Sequence, residues 1–222
     1  MDLQTFSHNI GPLHEDINTI KMIGKQLLES VTTIHNKNLI WTDCKISNFV
    51  AVGNDGGVSG TEVGDAGFLK QLLHDNEWRI KAIDLESCVD LKSSVQDFSP
   101  EVLAPEQISA FSSGIKTSEK GLKTALRVDN VRNLPVASQS LDLWALGIIL
   151  LHLYTGKAPI TADPTDITGA ICVVNDYVEG KNDLGLNEVE DVKLLKLLKI
   201  LLAVEPDDRG SSSTLKNKAF FR

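Results

Sequence analysis

The chain has few cysteines, no long basic run and no apolar segment long enough to cross a membrane. Its three cysteines, Cys44, Cys88 and Cys172, are far apart and form no CxxC pair, so we expect reduced thiols. The longest apolar run, residues 143–153, is interrupted by His152 and is too short to span a bilayer. The first residues carry neither a basic nor an apolar signal region, so we expect no signal peptide. These absences favour a cytoplasmic protein, with the nucleus as the alternative.

The composition is that of an ordinary globular protein with an excess of acidic residues. The 222 residues are 42% hydrophobic and 23% charged, which is enough chain to bury a core in one or two domains. The formal net charge of −8 argues against nucleic acid or an anionic membrane as the main partner. A basic substrate is compatible with this charge.

Apolar residues that recur at intervals of three and four predict most of the helices. Residues 15–36 predict an amphipathic helix, and residues 189–204 are strongly periodic in leucine. Residues 141–154 are apolar on nearly every side, which is typical of a helix buried in the middle of a domain, and Gly156 is expected to stop it. Further helices are expected at residues 165–178 and 212–219.

Short strands and two polar insertions complete the predicted organisation. Residues 39–41 predict a short buried strand, and residues 48–52 and 78–83 predict the two strands of a hairpin. The hairpin encloses a polar insertion at about residues 53–77, with one helical turn at 68–73, whereas residues 87–102 are expected to be irregular. A second insertion, residues 109–138, is either a solvated segment or a docking or regulatory loop. The prediction is one mostly α domain over residues 1–222 with a small β-hairpin.

Five short motifs follow one another in an order and at separations that together are informative. They resemble the carboxy-terminal lobe of a eukaryotic protein kinase over about residues 3–221. The resemblance implies the fold of the kinase large lobe, and nothing upstream in the sequence corresponds to the small lobe. The motifs are Asp43-Cys44-Lys45-Ile46-Ser47-Asn48, Asp84-Leu85-Glu86, Ala104-Pro105-Glu106, Asp142-Leu143-Trp144-Ala145-Leu146-Gly147 and Pro206-Asp207-Asp208-Arg209.

The resemblance implies a catalytic role for four of these residues, with ATP and Mg²⁺ as cofactors and a protein as substrate. Asp43 would accept or orient the proton of the substrate hydroxyl, and Lys45 would lie beside the transferring γ-phosphate. Asn48 and Asp84 would bind Mg²⁺ through oxygen atoms. A lysine at the position of Lys45 is typical of the serine/threonine group of protein kinases.

Three further residues have structural roles by the same resemblance. Glu106 and Arg209 would form a buried ion pair, in which loss of one partner leaves a buried charge alone. Asp142 would cap backbone amides of the loop that carries Asp43. An ordinary helix N-cap is a second role for Asp142, compatible with the first, since aspartate is favoured near helix starts.

The sequence also departs from the kinase pattern at two motifs. Trp41-Thr42 replaces the usual His-Arg before the catalytic aspartate, and Thr42 cannot pair with a phosphate as arginine does. Glu86 replaces a glycine that allows backbone conformations unfavourable to glutamate, whereas Leu85 is expected to keep an apolar plug in place of phenylalanine. Candidate phosphorylation sites at serines 93, 94 and 99 would therefore lack the usual arginine to read them.

Three functions remain open from the sequence. The first is a serine/threonine protein kinase, although this chain alone is expected to transfer phosphate poorly because half of the adenine cleft is absent. The second is a pseudokinase or interaction scaffold with a regulatory partner. The third, a phosphotransferase for small molecules, is disfavoured by the pairing of Ala104-Pro105-Glu106 with Arg209, which is typical of protein kinases.

Overall fold

A computed structural model describes residues 2–53, 78–95, 98–112 and 134–222. Helices form most of this part of the chain, as predicted. None of the described helices combines the length and apolar character that crossing a membrane requires. The helices are α1 (Leu3–Ile10), α2 (Ile17–His35), α3 (Pro105–Ser112), α4 (Gln139–Thr155), α5 (Ile167–Val178), α6 (Val192–Leu201) and α7 (Ser212–Leu215).

Helix α2 lies within the predicted range of residues 15–36 and buries the predicted apolar face. Its N-cap is Asp16, whose carboxylate accepts a hydrogen bond from the Thr19 N–H at 3.1 Å. Ile20, Ile23 and Leu27 are fully buried. This face packs against α4, so the periodicity of the sequence sets which side of α2 turns inward.

Helix α4 is buried on nearly all sides, which confirms the prediction for residues 141–154. Gly156 ends it in the left-handed conformation with φ of 70°, and its N–H donates to the His152 carbonyl. Gly147 allows α6 to approach closely, because a Cβ there would lie 2.7 Å from Leu202 Cδ2 and 2.9 Å from Leu201 Cβ. The centre of the core is therefore built around α4.

Within the described residues, four strands form two separate antiparallel pairs. The predicted hairpin is confirmed, with β2 (Phe49–Gly53) paired to β3 (Trp78–Ala82). Strand β1 (Leu39–Trp41) pairs with β4 (Cys88–Asp90). The prediction that residues 87–102 are irregular is wrong at β4, because main-chain pairing with β1 stabilises a strand that has no clear alternation of its own.

Other differences from the predictions are small. Periodicity did not identify α1, and the last helix ends at Leu215 rather than continuing to residue 219. Gly53 belongs to β2 and residues 109–112 belong to α3, so these ends of the two predicted insertions are regular structure. Residues 54–77, with the helical turn predicted at 68–73, and residues 113–133 lie outside the described residues.

Candidate active site

The loop that follows β1 brings Asp43, Lys45 and Asn48 together. Asp43 Oδ2 forms an ion pair with Lys45 Nζ at 2.9 Å, and the two side chains are 17% and 22% exposed. Asn48 Nδ2 donates to Asp43 Oδ2 at 3.1 Å and to the Asp43 carbonyl at 2.8 Å. A backbone hydrogen bond from Asn48 N to the Lys45 carbonyl closes the turn at 3.0 Å. The Asp43 carboxylate is thus oriented by residues of its own loop.

Ser99 is a further member of this cluster. Its hydroxyl donates to Asp43 Oδ1 at 2.6 Å and accepts from Lys45 Nζ at 3.0 Å. The side chain is buried, which disfavours Ser99 as a phosphorylation site in this conformation. Sequence reasoning missed its contact with Asp43, although its place just before Pro100 in the segment leading to Ala104-Pro105-Glu106 was a usable signal.

Asp84 lies beside the loop because β3 leads the chain past Asn48. The Ile83 N–H donates to the Asn48 carbonyl at 2.9 Å, directly beyond the end of the β2–β3 ladder. The Asp84 carbonyl accepts a hydrogen bond from Trp41 Nε1 at 3.2 Å. Its carboxylate is exposed and has no hydrogen bond or ion pair within the described part of the chain. Asp84 is therefore free to contact a ligand.

Asn48 and Asp84 offer oxygen atoms of the kind that Mg²⁺ prefers. The Asn48 amide nitrogen faces Asp43, and Asn48 Oδ1 makes no hydrogen bond among the described residues. Those residues contain no group of three or more His, Cys, Asp or Glu side chains that could hold a metal. Mg²⁺ is usually held by one or two carboxylates together with phosphate oxygens and water. The pair therefore fits Mg²⁺ that is bound together with a phosphate group.

Two expectations about the motif Asp84-Leu85-Glu86 are wrong. The residue in the left-handed region is Asp84, with φ of 57°, and Glu86 is not among the residues with positive φ. Glu86 therefore meets no backbone strain of the kind that would require glycine. Leu85 is 45% exposed and does not form a buried apolar plug. The 3-10 turn at Leu85–Ser87 turns this side chain outward.

Asp142 lies on α4 and binds the main chain just before the loop that carries Asp43. Its Oδ2 accepts from the Trp41 N–H at 3.0 Å and contacts His35 Nε2 at 2.7 Å, while His35 Nδ1 lies 3.1 Å from Ser212 Oγ. Burial raises the pKa of Asp142, and the hydrogen bonds from His35 and Trp41 oppose that rise. The N-cap of α4 is Ser138, so Asp142 caps the loop rather than its own helix. Sequence reasoning missed His35, which stands at the buried end of α2.

Glu106 and Arg209 form a bidentate ion pair. Arg209 Nη1 and Nη2 donate to the two carboxylate oxygens of Glu106 at 2.7 and 2.9 Å. Arg209 is fully buried, and it also donates to the carbonyls of Ala203, Ser140 and Val204 at 2.8, 3.0 and 3.2 Å. The pair joins the start of α3 to the 3-10 turn at Pro206–Arg209.

Among the described residues, the hydrogen bonds that hold the segment after Asp84 come from a threonine side chain and from the main chain. Thr42 Oγ1, at the position of the missing arginine, donates to the Ser87 carbonyl at 2.9 Å. Beyond β4, the segment pairs with the chain that leads into α4. The pairing comprises main-chain bonds from Lys92 N to Ala137 O at 2.9 Å, from Ala137 N to Ser93 O at 2.8 Å and from Val95 N to Pro135 O at 2.8 Å.

Comparison with known proteins finds kinases over nearly the whole chain. The probable serine/threonine-protein kinase mps1 of Dictyostelium discoideum is 26% identical over 211 residues, which are 95% of this chain and 18% of that protein. The dual specificity protein kinase Ttk of Danio rerio is 24% identical over 225 residues, covering 100% of this chain and 19% of that protein. The probable serine/threonine-protein kinase ndrC of Dictyostelium discoideum is 24% identical over 232 residues, covering 100% and 16%. No model of a known protein family matches the chain.

The chain spans less than a fifth of the length of each of these three relatives. The similarity is low in identity, but it extends across the helices, the hairpin and the loop with Asp43. The architecture agrees with it, because the loop bearing an acid, a lysine and an asparagine, the short hairpin and the central buried helix follow one another as the resemblance to a kinase large lobe implies. The chain is a protein-kinase-like domain with the architecture of the carboxy-terminal lobe.

Proposed function

We propose that this domain transfers the γ-phosphate of ATP to a serine or threonine hydroxyl of a protein. The observation that carries the proposal is the orientation of Asp43 by Lys45, Asn48 and Ser99 at 2.6–3.1 Å. An ordinary surface aspartate is not expected to bind three side chains from two separate segments of the chain. A carboxylate held in this way can accept or orient the proton of an attacking hydroxyl.

The other residues of the site supply charge and binding. Lys45 stays close to Asp43, so a cation is available beside the transferring phosphate group. Asn48 and Asp84 would hold Mg²⁺ together with ATP, and bound Mg²⁺ offsets the negative charge of the phosphates. Asp142 positions the loop through the Trp41 N–H and is therefore a positioning residue.

Binding of Mg²⁺ and ATP is the first test of this proposal. Calorimetry on the chain joined to a kinase small lobe, which supplies the other half of the adenine cleft, should detect binding that is lost in Asp84→Ala. The matched control is Asp90→Ala, which removes an exposed carboxylate of β4 outside the site and should leave binding intact. Binding that is equal in the wild type and Asp84→Ala would contradict the proposed role of Asp84.

Phosphate transfer to a protein substrate is the second test. In the same protein extended by a small lobe, Asp43→Asn should retain nucleotide binding and lower the rate of transfer by about 10²–10⁴, since general-base residues contribute on this scale. A transfer rate in Asp43→Asn close to that of the wild type would refute the assignment of Asp43.

A pseudokinase or interaction scaffold is the second candidate function. The observations that favour it are Thr42 in place of arginine, the exposed side chain of Leu85, and the negative charge of Glu86 beside Asp84. A folded protein extended by a small lobe that binds neither ATP nor Mg²⁺ would favour the scaffold over the enzyme.

A further inference from the structure

A series of buried hydrogen bonds runs from the last helix to the loop that carries Asp43. Ser212 Oγ lies 3.1 Å from His35 Nδ1, and His35 Nε2 lies 2.7 Å from Asp142 Oδ2. The same carboxylate oxygen accepts from the Trp41 N–H at 3.0 Å. Ser212, His35 and Asp142 are 3%, 4% and 1% exposed. Each polar group is therefore shielded from water and depends on its neighbour in the series.

The hydroxyl of Ser212 is available to His35 because a neighbouring residue caps the helix. Ser211 is the N-cap of α7 and forms a capping box with Thr214. Within the described residues, the Ser212 hydroxyl has its hydrogen-bond contact with His35 and with no other group. Helices α2 and α7 pack against each other, which brings the ring to this hydroxyl. Helix capping therefore does not account for the side chain of Ser212.

The orientation of the Asp142 carboxylate depends on the groups at one of its oxygens. Oδ2 contacts the Trp41 N–H and His35 Nε2, whereas Oδ1 is buried and has no hydrogen-bond partner within the described residues. If the ring of His35 turned away, the Trp41 N–H alone would hold the carboxylate. Trp41 stands two residues before Asp43, so the orientation of this carboxylate bears on the position of the loop.

The contacts of the His35 ring indicate where its proton lies. A neutral imidazole donates from one ring nitrogen and accepts at the other, and a carboxylate only accepts. The contact of 2.7 Å between Nε2 and Asp142 Oδ2 is typical of a hydrogen bond to a charged acceptor, which places the proton on Nε2. Nδ1 is then an acceptor, and the Ser212 hydroxyl donates to it. Without that donor, Nδ1 would be a buried acceptor with no partner.

We propose that Ser212 is a positioning residue for the loop that carries Asp43. Its hydroxyl holds the His35 ring at the angle from which Nε2–H donates to Asp142, and Asp142 in turn holds the Trp41 N–H. Loss of the hydroxyl loosens the ring and, through it, the carboxylate. The importance of this series for phosphate transfer rests on the proposed function, whereas the arrangement of its hydrogen bonds does not.

Nitrogen NMR of the wild-type chain tests the arrangement of the protons directly. Spectra of the isotope-labelled protein distinguish protonated from unprotonated ring nitrogens, and through-bond correlations assign the signals of His35. We expect a protonated Nε2 and an unprotonated Nδ1 in the folded chain at pH 7. A protonated Nδ1 would overturn the proposal, because Ser212 would then accept a hydrogen bond from the ring instead of donating one.

Amide exchange in Ser212→Ala tests the effect on the loop. The Trp41 amide should exchange about five- to tenfold faster than in the wild type, since its acceptor is less firmly held, and the Ile23 amide in the middle of α2 should change less. The matched control is Ser213→Ala, the same change at an exposed neighbour in α7, which should leave exchange at Trp41 unchanged. Equal acceleration at Trp41 and Ile23 would overturn the proposal, because Ser212 would then only stabilise the core.

Phosphate transfer tests the link to the proposed function. In the protein extended by a small lobe, Ser212→Ala should lower kcat by about three- to tenfold and leave the KM for ATP unchanged, because the change affects the orientation of Asp43 rather than the binding of ATP. An unchanged kcat would contradict the positioning role. If the wild type transfers no phosphate, the proposed function fails, whereas ring protonation and amide exchange still decide the contact between Ser212 and His35.

Discussion

Replacing Glu106 by glutamine removes the anion that faces the buried guanidinium of Arg209. Loss of one partner of a buried ion pair typically destabilises a protein by about 3–5 kcal/mol. The Glu106 side chain is 21% exposed, and the carbonyls of Ala203, Ser140 and Val204 continue to accept from Arg209. We therefore expect the lower end of this range, about 3 kcal/mol.

The assay is reversible unfolding in urea and by heat, followed by circular dichroism. For a domain of this size, about 3 kcal/mol corresponds to a decrease in Tm of roughly 6–12 °C. The matched control is Glu188→Gln, because Glu188 pairs with Lys157 at 2.8 Å while its side chain is 45% exposed. Removing one partner of an exposed pair should cost less than about 1 kcal/mol.

The comparison between the two variants decides the outcome. If Glu106→Gln is no more destabilising than Glu188→Gln, the buried ion pair does not hold α3 to the end of the domain. A large effect of Glu106→Gln that is equally large in strong salt would support burial as the cause, since salt screens exposed pairs far more than buried ones.

Three further predictions concern other parts of the molecule. Thr42→Val should lower the free energy of unfolding by about 1 kcal/mol, because the partly buried hydrogen bond to the Ser87 carbonyl loses its donor, and amide exchange in β4 should accelerate. In the native protein, iodoacetamide should modify the exposed Cys172 first, whereas Cys44 should react only on unfolding because burial hides its thiol and raises its pKa. Burial lowers the pKa of His152 from 6.5, so the unfolded chain binds more protons than the folded chain as the pH falls below 6.5. The free energy of unfolding should therefore decrease as the pH falls from 6.5. Urea titrations at several pH values should show that His152→Gln removes this dependence.

Each of these predictions has a clear contrary result. Unchanged exchange rates in β4 of Thr42→Val would mean that the bond to Ser87 does not anchor the segment. Rapid modification of Cys44 in the folded protein, seen by peptide mass mapping, would contradict its burial. An identical pH dependence of unfolding in the wild type and His152→Gln would show that His152 is not the source of the slope.

Much of the fold could be predicted because its helices have strong periodicity. The buried faces of α2 and α4 follow directly from the spacing of apolar residues, and the hairpin follows from two short β-prone segments. Strand β4 could not be predicted in this way, because its three residues depend on pairing with β1. Helix α7 was predicted to continue to residue 219 but ends at Leu215, which shows how weakly a sequence defines the ends of helices.

The sequence predicted which residues form the site, but it did not predict the contacts that they make with distant parts of the chain. Asp43, Lys45 and Asn48 are close in sequence, so their proximity required no long-range information. The contacts of Ser99 with Asp43 and of His35 with Asp142 join residues 56 and 107 positions apart. Such contacts depend on how α4 packs against the rest of the core, which residue patterns alone do not specify.

The main-chain bonds that join Lys92 and Val95 to the chain before α4 have a consequence for sequence variation. Peptide groups make these bonds, so most substitutions at Ser93 and Ser94 would leave the segment in place. Val95 is fully buried and is constrained by packing, and a proline at that position would remove an N–H that the pairing uses. In related chains, the exposed side chains of this segment could therefore vary while its backbone conformation stays the same. Such variation would change what the surface of the segment recognises.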